Sequence, residues 1–345
     1  MSVAKFGNAK LTQQKTVTLQ DIANVAGVAV STVSRAFTTP DRVNFQTMLR
    51  IHQVADELGY RRRPAPEVGG SSLHRTIDLM VQDIGNPFFT DLMKGAVQAA
   101  READYMVLLG DAEESAAVEL DHIHRILPSV DGLIASARWL TDSDLAEISR
   151  RKPLVLFNRE VPGISSVCAE TPEANRLLIQ HLVSLGHRRI VYVSGPRVSW
   201  TNQQRWASVQ EVTREHGIEP IQIGPFRPLL SQGAAAVDIA MSHDPTAIIA
   251  FNDQLAIGML QAMSSKGIRV PEDVSIVSYD DTFGSSFSSP PLTCLRAEIE
   301  YAGREAVRLL LAQIRGSQEI HQLRIPSGLT VRASSSHART SSASS

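Results

Sequence analysis

The chain has 345 residues, 43% hydrophobic and 20% charged, a globular composition that excludes wholesale disorder and collagen-like repeats and anticipates two or three folded units. Its net charge is −2, but residues 1–63 hold nine Lys/Arg against four Asp/Glu, so a head of +5 precedes a body of −7 and only the head is expected to meet a polyanion. No apolar run reaches the roughly 20 residues of a membrane span, and Cys168 and Cys294 are too few for a disulfide framework, so buried free thiols in a reducing, cytoplasmic setting are expected.

Residues 1–15 are polar, lack periodicity and contain no apolar h-region, which predicts a loose tail rather than a secretory signal. Residues 16–60 read as three helices. Thr18 can cap a helix over Leu19–Ala26, with Leu19, Ile22, Ala23 and Ala26 on one face. Gly27 supplies a turn, and a second helix runs from about Val30 to Phe37 with Val33 and Phe37 inward. A third starts near Asn44, carries Met48, Ile51, Val54, Ala55 and Leu58 at helical spacing, and ends at Gly59. This is the pattern of a helix-turn-helix, whose second helix enters the major groove.

The outward residues of that helix are then Val30, Ser31, Ser34 and Arg35. Arg35 can donate two hydrogen bonds to guanine, Val30 can meet a thymine methyl, and Ser31 can serve either base type. Thr18, Thr32, Ser34 and Asn44 are short polar groups suited to phosphate oxygens. A three-helix bundle that docks protein would show the same spacing.

Residues 61–75, RRRPAPEVGGSSLHR, have the Pro and Gly content of a linker. In it Arg61, Arg62 and Arg63 either contact phosphate and the minor groove or are merely solvated. From 76 to 332, strand-like runs alternate with amphipathic stretches: Ile77–Gln82, Tyr105–Leu109, Gly132–Ala135, Leu154–Phe157, Ser166–Ala169, Ile190–Ser194, Ala247–Phe251 and Val274–Ser278. Asn86-Pro87 and Thr171-Pro172 read as helix starts; Gly186, Gly217 and Gly267 read as helix stops. The fold class is α/β, with doubly wound parallel sheets in a body large enough for two lobes. Ligands in such folds bind outside the carboxyl ends of strands or between lobes. The segment 333–345, ASSSHARTSSASS, reads as a disordered tail that cannot build a tetramer-forming heptad seam.

The run VTLQDIANVAGVAVSTVSRAF at Val17–Phe37 closely resembles the headpiece of lactose-repressor-like (LacI/GalR) transcriptional regulators. Further matches follow in order: NPFF at Asn86–Phe89, HLVSLGHRRIVYVSGP at His181–Pro196, FNDQLAIGML at Phe251–Leu260, GIRVPEDVSIVSYDD at Gly267–Asp281 and SPPLTCLR at Ser289–Arg296. The resemblance implies a homodimer on a near-palindromic double-stranded DNA operator. It also implies a body like a periplasmic sugar-binding protein, with three crossovers between lobes, and a small-molecule effector that controls a repressor allosterically.

Carried over by position, Val30, Ser31 and Arg35 occupy base-reading places, and Thr18, Thr32, Ser34 and Asn44 phosphate-contacting ones. Two departures stand out. Ala29 replaces the usual serine at the start of the recognition helix, and the Pro/Gly-rich linker opposes the usual hinge helix, with Gly69 near the place of a DNA-wedging leucine and Val68 the nearest apolar substitute. The arm is therefore expected to act through its arginines, with steep salt dependence.

For the effector the resemblance implies a pocket from Gln82, Asp83, Phe88, Phe89, Arg159, Ser199, Trp200, Thr201, Arg205, Phe226 and Asp253, with Arg205 and Asp253 foremost and Asp280-Asp281 ordering a nearby loop. Aromatic faces with a guanidinium and a carboxylate fit a carbohydrate, a nucleoside or a small acid.

No G-x-G-x-x-G, phosphate loop, H-E-x-x-H or G-x-S-x-G is present, so neither an enzyme nor a cofactor is expected. His122 and His124, two apart on a helix, are expected on a solvated face rather than on a metal. A periplasmic solute-binding protein would share the body but not residues 17–60.

Overall fold

The structure, a computed structural model, describes residues 17–38, 43–58 and 73–339. It divides into Met1–Ser72 and Leu73–Ser345.

In the first unit, Thr18 caps helix α1 (Leu19–Ala26). Its hydroxyl accepts from the Asp21 amide at 3.3 Å while the Asp21 carboxylate accepts from the Thr18 amide at 2.8 Å. Gly27 ends the helix at φ 69°, a left-handed conformation that a Cβ would disfavour. That turn leads into α2 (Val30–Thr38), and α3 (Phe45–Glu57) follows. Ile22, Ala23, Ala26, Val33, Ala36, Ile51, Val54 and Ala55 make one small core. Val30, expected to point outward, is half-buried against this core. The side chain expected inward at Phe37 and the linker residues Arg61, Arg62, Arg63 and Val68 lie outside the described residues, as does the tail 1–15.

The second unit contains two six-stranded sheets. The first is built from β1 (Thr76–Val81), β2 (Met106–Asp111), β3 (Gly132–Ala135), β4 (Leu154–Phe157), β5 (Ser165–Cys168) and, from far along the chain, β11 (Gln322–Arg324). Their order is β11-β5-β4-β3-β1-β2, all parallel. Helices α4 (Pro87–Glu102) and α11 (Ile299–Ile314) cover one face; α5 (Ala116–Ile126) and α6 (Asp142–Arg151) cover the other. A Cβ on Gly95 would stand 1.8 Å from the Glu300 carbonyl oxygen, and one on Gly303 2.2 Å from that of Leu92, so α4 and α11 cross with backbones touching.

The second sheet holds β6 (Ile190–Val193), β7 (Ile221–Ile223), β8 (Ala247–Ala250), β9 (Ser275–Asp280), β10 (Thr293–Ala297) and β12 (Ser327–Thr330) in the order β12-β10-β9-β8-β6-β7. Only the β10–β12 pair is antiparallel. Helices α7 (Pro172–Ser184) and α8 (Trp200–Glu215) lie on one face, α9 (Gly233–Met241) and α10 (Asp253–Ser265) on the other. The chain passes between lobes three times, after Cys168, Ala297 and Arg324. Both sheets reverse strand order internally, at β1/β3 and β6/β8, which places a ligand site at their carboxyl ends.

Two expectations need correction. Residues 333–339 are not loose. The fully buried Ser334 hydroxyl accepts from the Thr293 amide at 2.8 Å and donates to the Ile276 carbonyl at 2.6 Å. Next to it, Ser335 meets His181 Nε2 at 2.9 Å and the Ser336 carbonyl meets His187 Nε2 at 3.0 Å. Short hydroxyl side chains thus satisfy the edge of the second lobe where composition suggested disorder. Residues 340–345 lie outside the described residues. His122, moreover, is not merely solvated: its Nε2 sits 3.0 Å from the fully buried Asp78 carboxylate, while His124 is exposed.

These histidines give opposite pH dependences. Burial holds His181 and His187 below the usual histidine pKa, so below about pH 6.5 the unfolded chain takes up protons that the folded lobe resists, and stability falls. The hydrogen bond to Asp78 holds His122 above that value, so its contribution is complete below about pH 6.5 and is lost as pH rises through the folded value. Thermal melts from about pH 8 to about pH 5 are expected to show a weaker acid limb in His181→Asn/His187→Asn and a weaker alkaline loss in His122→Asn. An unchanged acid limb in the double variant would refute the assignment.

Candidate functional site

Two surfaces carry the candidate residues. On α2, Ser31 and Arg35 are exposed and one helical turn apart, while Thr32 and Ser34 are half-buried beside them. Ala29 starts the helix through its carbonyl alone, which accepts from the Thr32 amide at 2.9 Å and the Val33 amide at 3.1 Å. Thr18 and Asn44 are both engaged as caps, Asn44 Oδ1 accepting from the Gln46 amide at 3.0 Å. Their side-chain oxygens therefore hold the amino ends of α1 and α3 in place.

The second surface is a cleft between the lobes, about 560 Å3 with the solvent at its mouth included. The first lobe contributes Asn86, Phe88 and Phe89 after β1, Ser136 to Arg138 after β3, and Phe157 to Arg159 at the end of β4. The second contributes Ser199 to Thr201, Arg205, Pro228, Phe251 and Asn252 after β8, and Asp280 ending β9. Asn86 places the aromatics by accepting from the Phe88 amide at 3.1 Å, and Phe88 and Phe89 meet edge to face at 5.3 Å between centroids. Both rings also belong to the core of the first lobe.

Arg205 is the centre of the site. Its Nε donates to the Glu170 carboxylate at 3.1 and 3.2 Å, its Nη2 to Asp280 Oδ1 at 3.1 Å and again to Glu170, and its Nη1 to the Phe251 carbonyl. The guanidinium lies 4.0 Å over the Tyr279 ring and 5.0 Å over Phe251. Two carboxylates hold its pKa above the ordinary arginine value despite complete burial, so it stays charged. Burial pushes the Asp280 carboxyl up to about 7, against the pull of Arg205. Glu170 sits on the first crossover, so Arg205 ties that hinge strand to the second lobe.

Of the other residues expected here, Ser199, Trp200 and Thr201 line the cleft. Ser199 caps α8, and Thr201 donates to the Asn158 carbonyl at 3.3 Å. Arg159 lines it too, but its guanidinium is committed to the Ala137 and Leu140 carbonyls at 2.7 Å and to Asp142 at 2.6 Å.

Four expectations fail on geometry. Asp253 does not line the cleft. Its buried carboxylate accepts from Ser278, Ser285, the Thr282 amide at 2.7 Å and Thr282 Oγ1 at 3.1 Å, and so holds the loop after β9. Phe226 packs in the core of the second lobe. Gln82 is buried behind the cleft, donating to Glu119 and to the Ser136 carbonyl, which positions the loop after β3. Asp83 accepts from the Gly85 amide at 2.8 Å to shape the turn before α4. Conversely, Asp280 faces the cleft, whereas Asp281 orders its loop through Arg332 at 2.6 Å. Asn86 was read only as a helix start and Asp280 only as ordering a nearby loop, while Arg138, Asn158, Glu170 and Asn252 were not assigned to the site; each follows or ends a strand at its carboxyl end, and that position was the available signal.

An amino-terminal helix-turn-helix together with a two-lobed body whose cleft lies at strand carboxyl ends defines a ligand-controlled DNA-binding regulator. The family model for bacterial regulatory proteins of the lacI family matches residues 18–63, and that for a periplasmic binding protein-like domain matches residues 179–335. The transcriptional repressor CytR of Escherichia coli (strain K12) is 31% identical over 312 residues, 88% of this chain and 92% of that protein. The regulator GalS of Salmonella typhimurium is 29% identical over the same shares. Among solved structures, the lac repressor dimer bound to operator and the anti-inducer ONPF matches with TM-score 0.75 and 27% identity, covering 93% of this chain and all of that one. The CelR–cellobiose complex matches with TM-score 0.68 and 28% identity over 92% and 99%. The chain belongs to the lacI family of bacterial regulatory proteins.

Proposed function

We propose that this chain is a repressor that binds a near-palindromic operator as a homodimer and is controlled by a small polar effector in the interlobe cleft. The observation that carries the reading is Arg35, exposed on the second helix of the headpiece one turn from Ser31, where base edges are read. The cleft supports the second half. Aromatic rings and amides line it, and Arg205 links it to the hinge strand through Glu170, so an occupant that favours one lobe arrangement shifts the population of headpiece states.

Dimerisation has surfaces to use. Edge strand β2 exposes Met106 at 66% and Leu109 at 47%, and the loop after β9 exposes Phe283 and Phe287, whose ring centroids lie 5.2 Å apart with the planes tilted by 53°. No described helix is long and apolar enough to cross a membrane; the protein is read as a cytoplasmic regulator that works without a cofactor and catalyses nothing.

Footprinting with fragments from its own genomic neighbourhood tests this. A two-fold symmetric protected site is expected, released or strengthened by a sugar or nucleoside. No fragment outcompeting bulk DNA would contradict it.

A further inference from the structure

The cleft is lined by three arginines, and every one is already neutralised. Arg138 is paired with Glu114 and Arg159 with Asp142, both guanidinium groups 13–14% exposed. Arg205 lies between Glu170 and Asp280. Arg324, at the third crossover beside the Trp200 ring, is paired with Glu160 at 2.7 Å. The innermost guanidinium is therefore saturated by carboxylate and carbonyl acceptors, and among the described residues of the cleft no guanidinium is left for an incoming anion.

What remains on offer is different. Among the described residues only Arg205 donates to Asp280, and only on Oδ1, which leaves Oδ2 as an acceptor. The side-chain oxygens of Asn86 and Asn158 are used by the Phe88 and Ala169 amides, leaving their NH2 groups as neutral donors. Phe88, Phe157 and Trp200 supply apolar faces.

We propose that the cleft takes an uncharged, hydroxyl-bearing ligand and rejects phosphorylated or carboxylated counterparts, and that Glu170 sets this discrimination by occupying the Nε edge of Arg205. The inference rests on the effector reading given above and narrows it: of the carbohydrate, nucleoside and small acid that fit by shape, the acid is excluded. An anion entering here finds the Arg205 guanidinium already taken and faces the acceptor oxygen of Asp280 with the Glu170 carboxylate behind it, an unmatched juxtaposition of the kind that suppresses wrong partners.

The test is thermal shift and calorimetry on the full chain with matched pairs: glucose and glucose 6-phosphate, ribose and ribose 5-phosphate, cellobiose and cellobionate, cytidine and its 5′-monophosphate. In any pair that binds, the uncharged member is expected to win by roughly tenfold or more. Glu170→Gln, checked for folding by circular dichroism, is expected to shrink that ratio by roughly tenfold, because it frees a guanidinium edge and removes a charge. A phosphorylated or carboxylated member that binds the unaltered chain as tightly as its partner overturns the proposal, and that comparison stands even where the variant fails to fold. If no member of any pair binds while footprinting still shows an operator, the cleft is not a site for these classes, and the inference falls while the DNA-binding reading survives.

Discussion

Arg205→Met is expected to destabilise the two-lobed body by roughly 3–5 kcal/mol, because it strands two buried carboxylates without their cation. Glu170 and Asp280 have side chains only 13% and 7% exposed, and both rely on the same guanidinium. The loss extends beyond charge: Arg205 also donates to the Phe251 carbonyl and covers the Tyr279 ring, so Met refills the volume but none of the hydrogen bonds. Tm should fall by on the order of 10 °C. Adding Glu170→Gln and Asp280→Asn should recover much of the loss, since the stranded charges are then removed. A single variant that melts with the unaltered chain, or a triple variant less stable than the single, would show that the three residues do not act as a unit. The headpiece core shares no residue with this group, so DNA affinity of the folded variant is expected to change only through effector control.

The legible parts of the sequence were those with local periodicity. The three headpiece helices and eight of the body strands follow from short-range patterns and caps such as Thr18, Asn86 and Thr171. The strands that went unread lack that signal. β11 (Gln322–Arg324) and β7 (Ile221–Ile223) are three residues long at sheet edges, and β10 has only two apolar residues, Cys294 and Leu295, between polar Thr293 and Arg296, too short a run to show a strand pattern. The carboxyl-terminal clasp hid for another reason. A serine-rich stretch has the composition of disorder, and only the fold shows that Ser334 lands between Thr293 and Ile276.

The cleft was half legible. The family resemblance led to Phe88, Phe89, Arg159 and Arg205, all of which line the cleft. Asp253 was misread because a carboxylate in the first turn of a helix looks the same whether it awaits a ligand or is filled by Ser278, Thr282 and Ser285, donors 25 to 32 residues away. Glu170 was passed over because the two-residue crossover between strand and helix cap carries no periodicity of its own.

The second large effect is expected at Arg35. Its guanidinium is exposed on a helix otherwise fixed by Val33 and Ala36 in the core, so removing it should leave the headpiece folded and strip one pair of directed hydrogen bonds from the protein–DNA interface. One bidentate contact is worth about 1–3 kcal/mol of base discrimination, or roughly tenfold to a hundredfold in affinity for the cognate site. Affinity for random DNA, which depends on phosphate contacts, should fall far less. Exposed Ser31, with a single hydroxyl and no charge, is expected to matter less than Arg35.

Fluorescence anisotropy with the footprinted operator and with a scrambled duplex, at one fixed salt concentration, measures both quantities on the full chain and on Arg35→Ala. Operator affinity reduced roughly tenfold or more, with scrambled-duplex affinity nearly kept, is the predicted outcome. Equal affinities for the operator in the two proteins, with site preference intact, would contradict the assignment of α2 as the element that reads DNA.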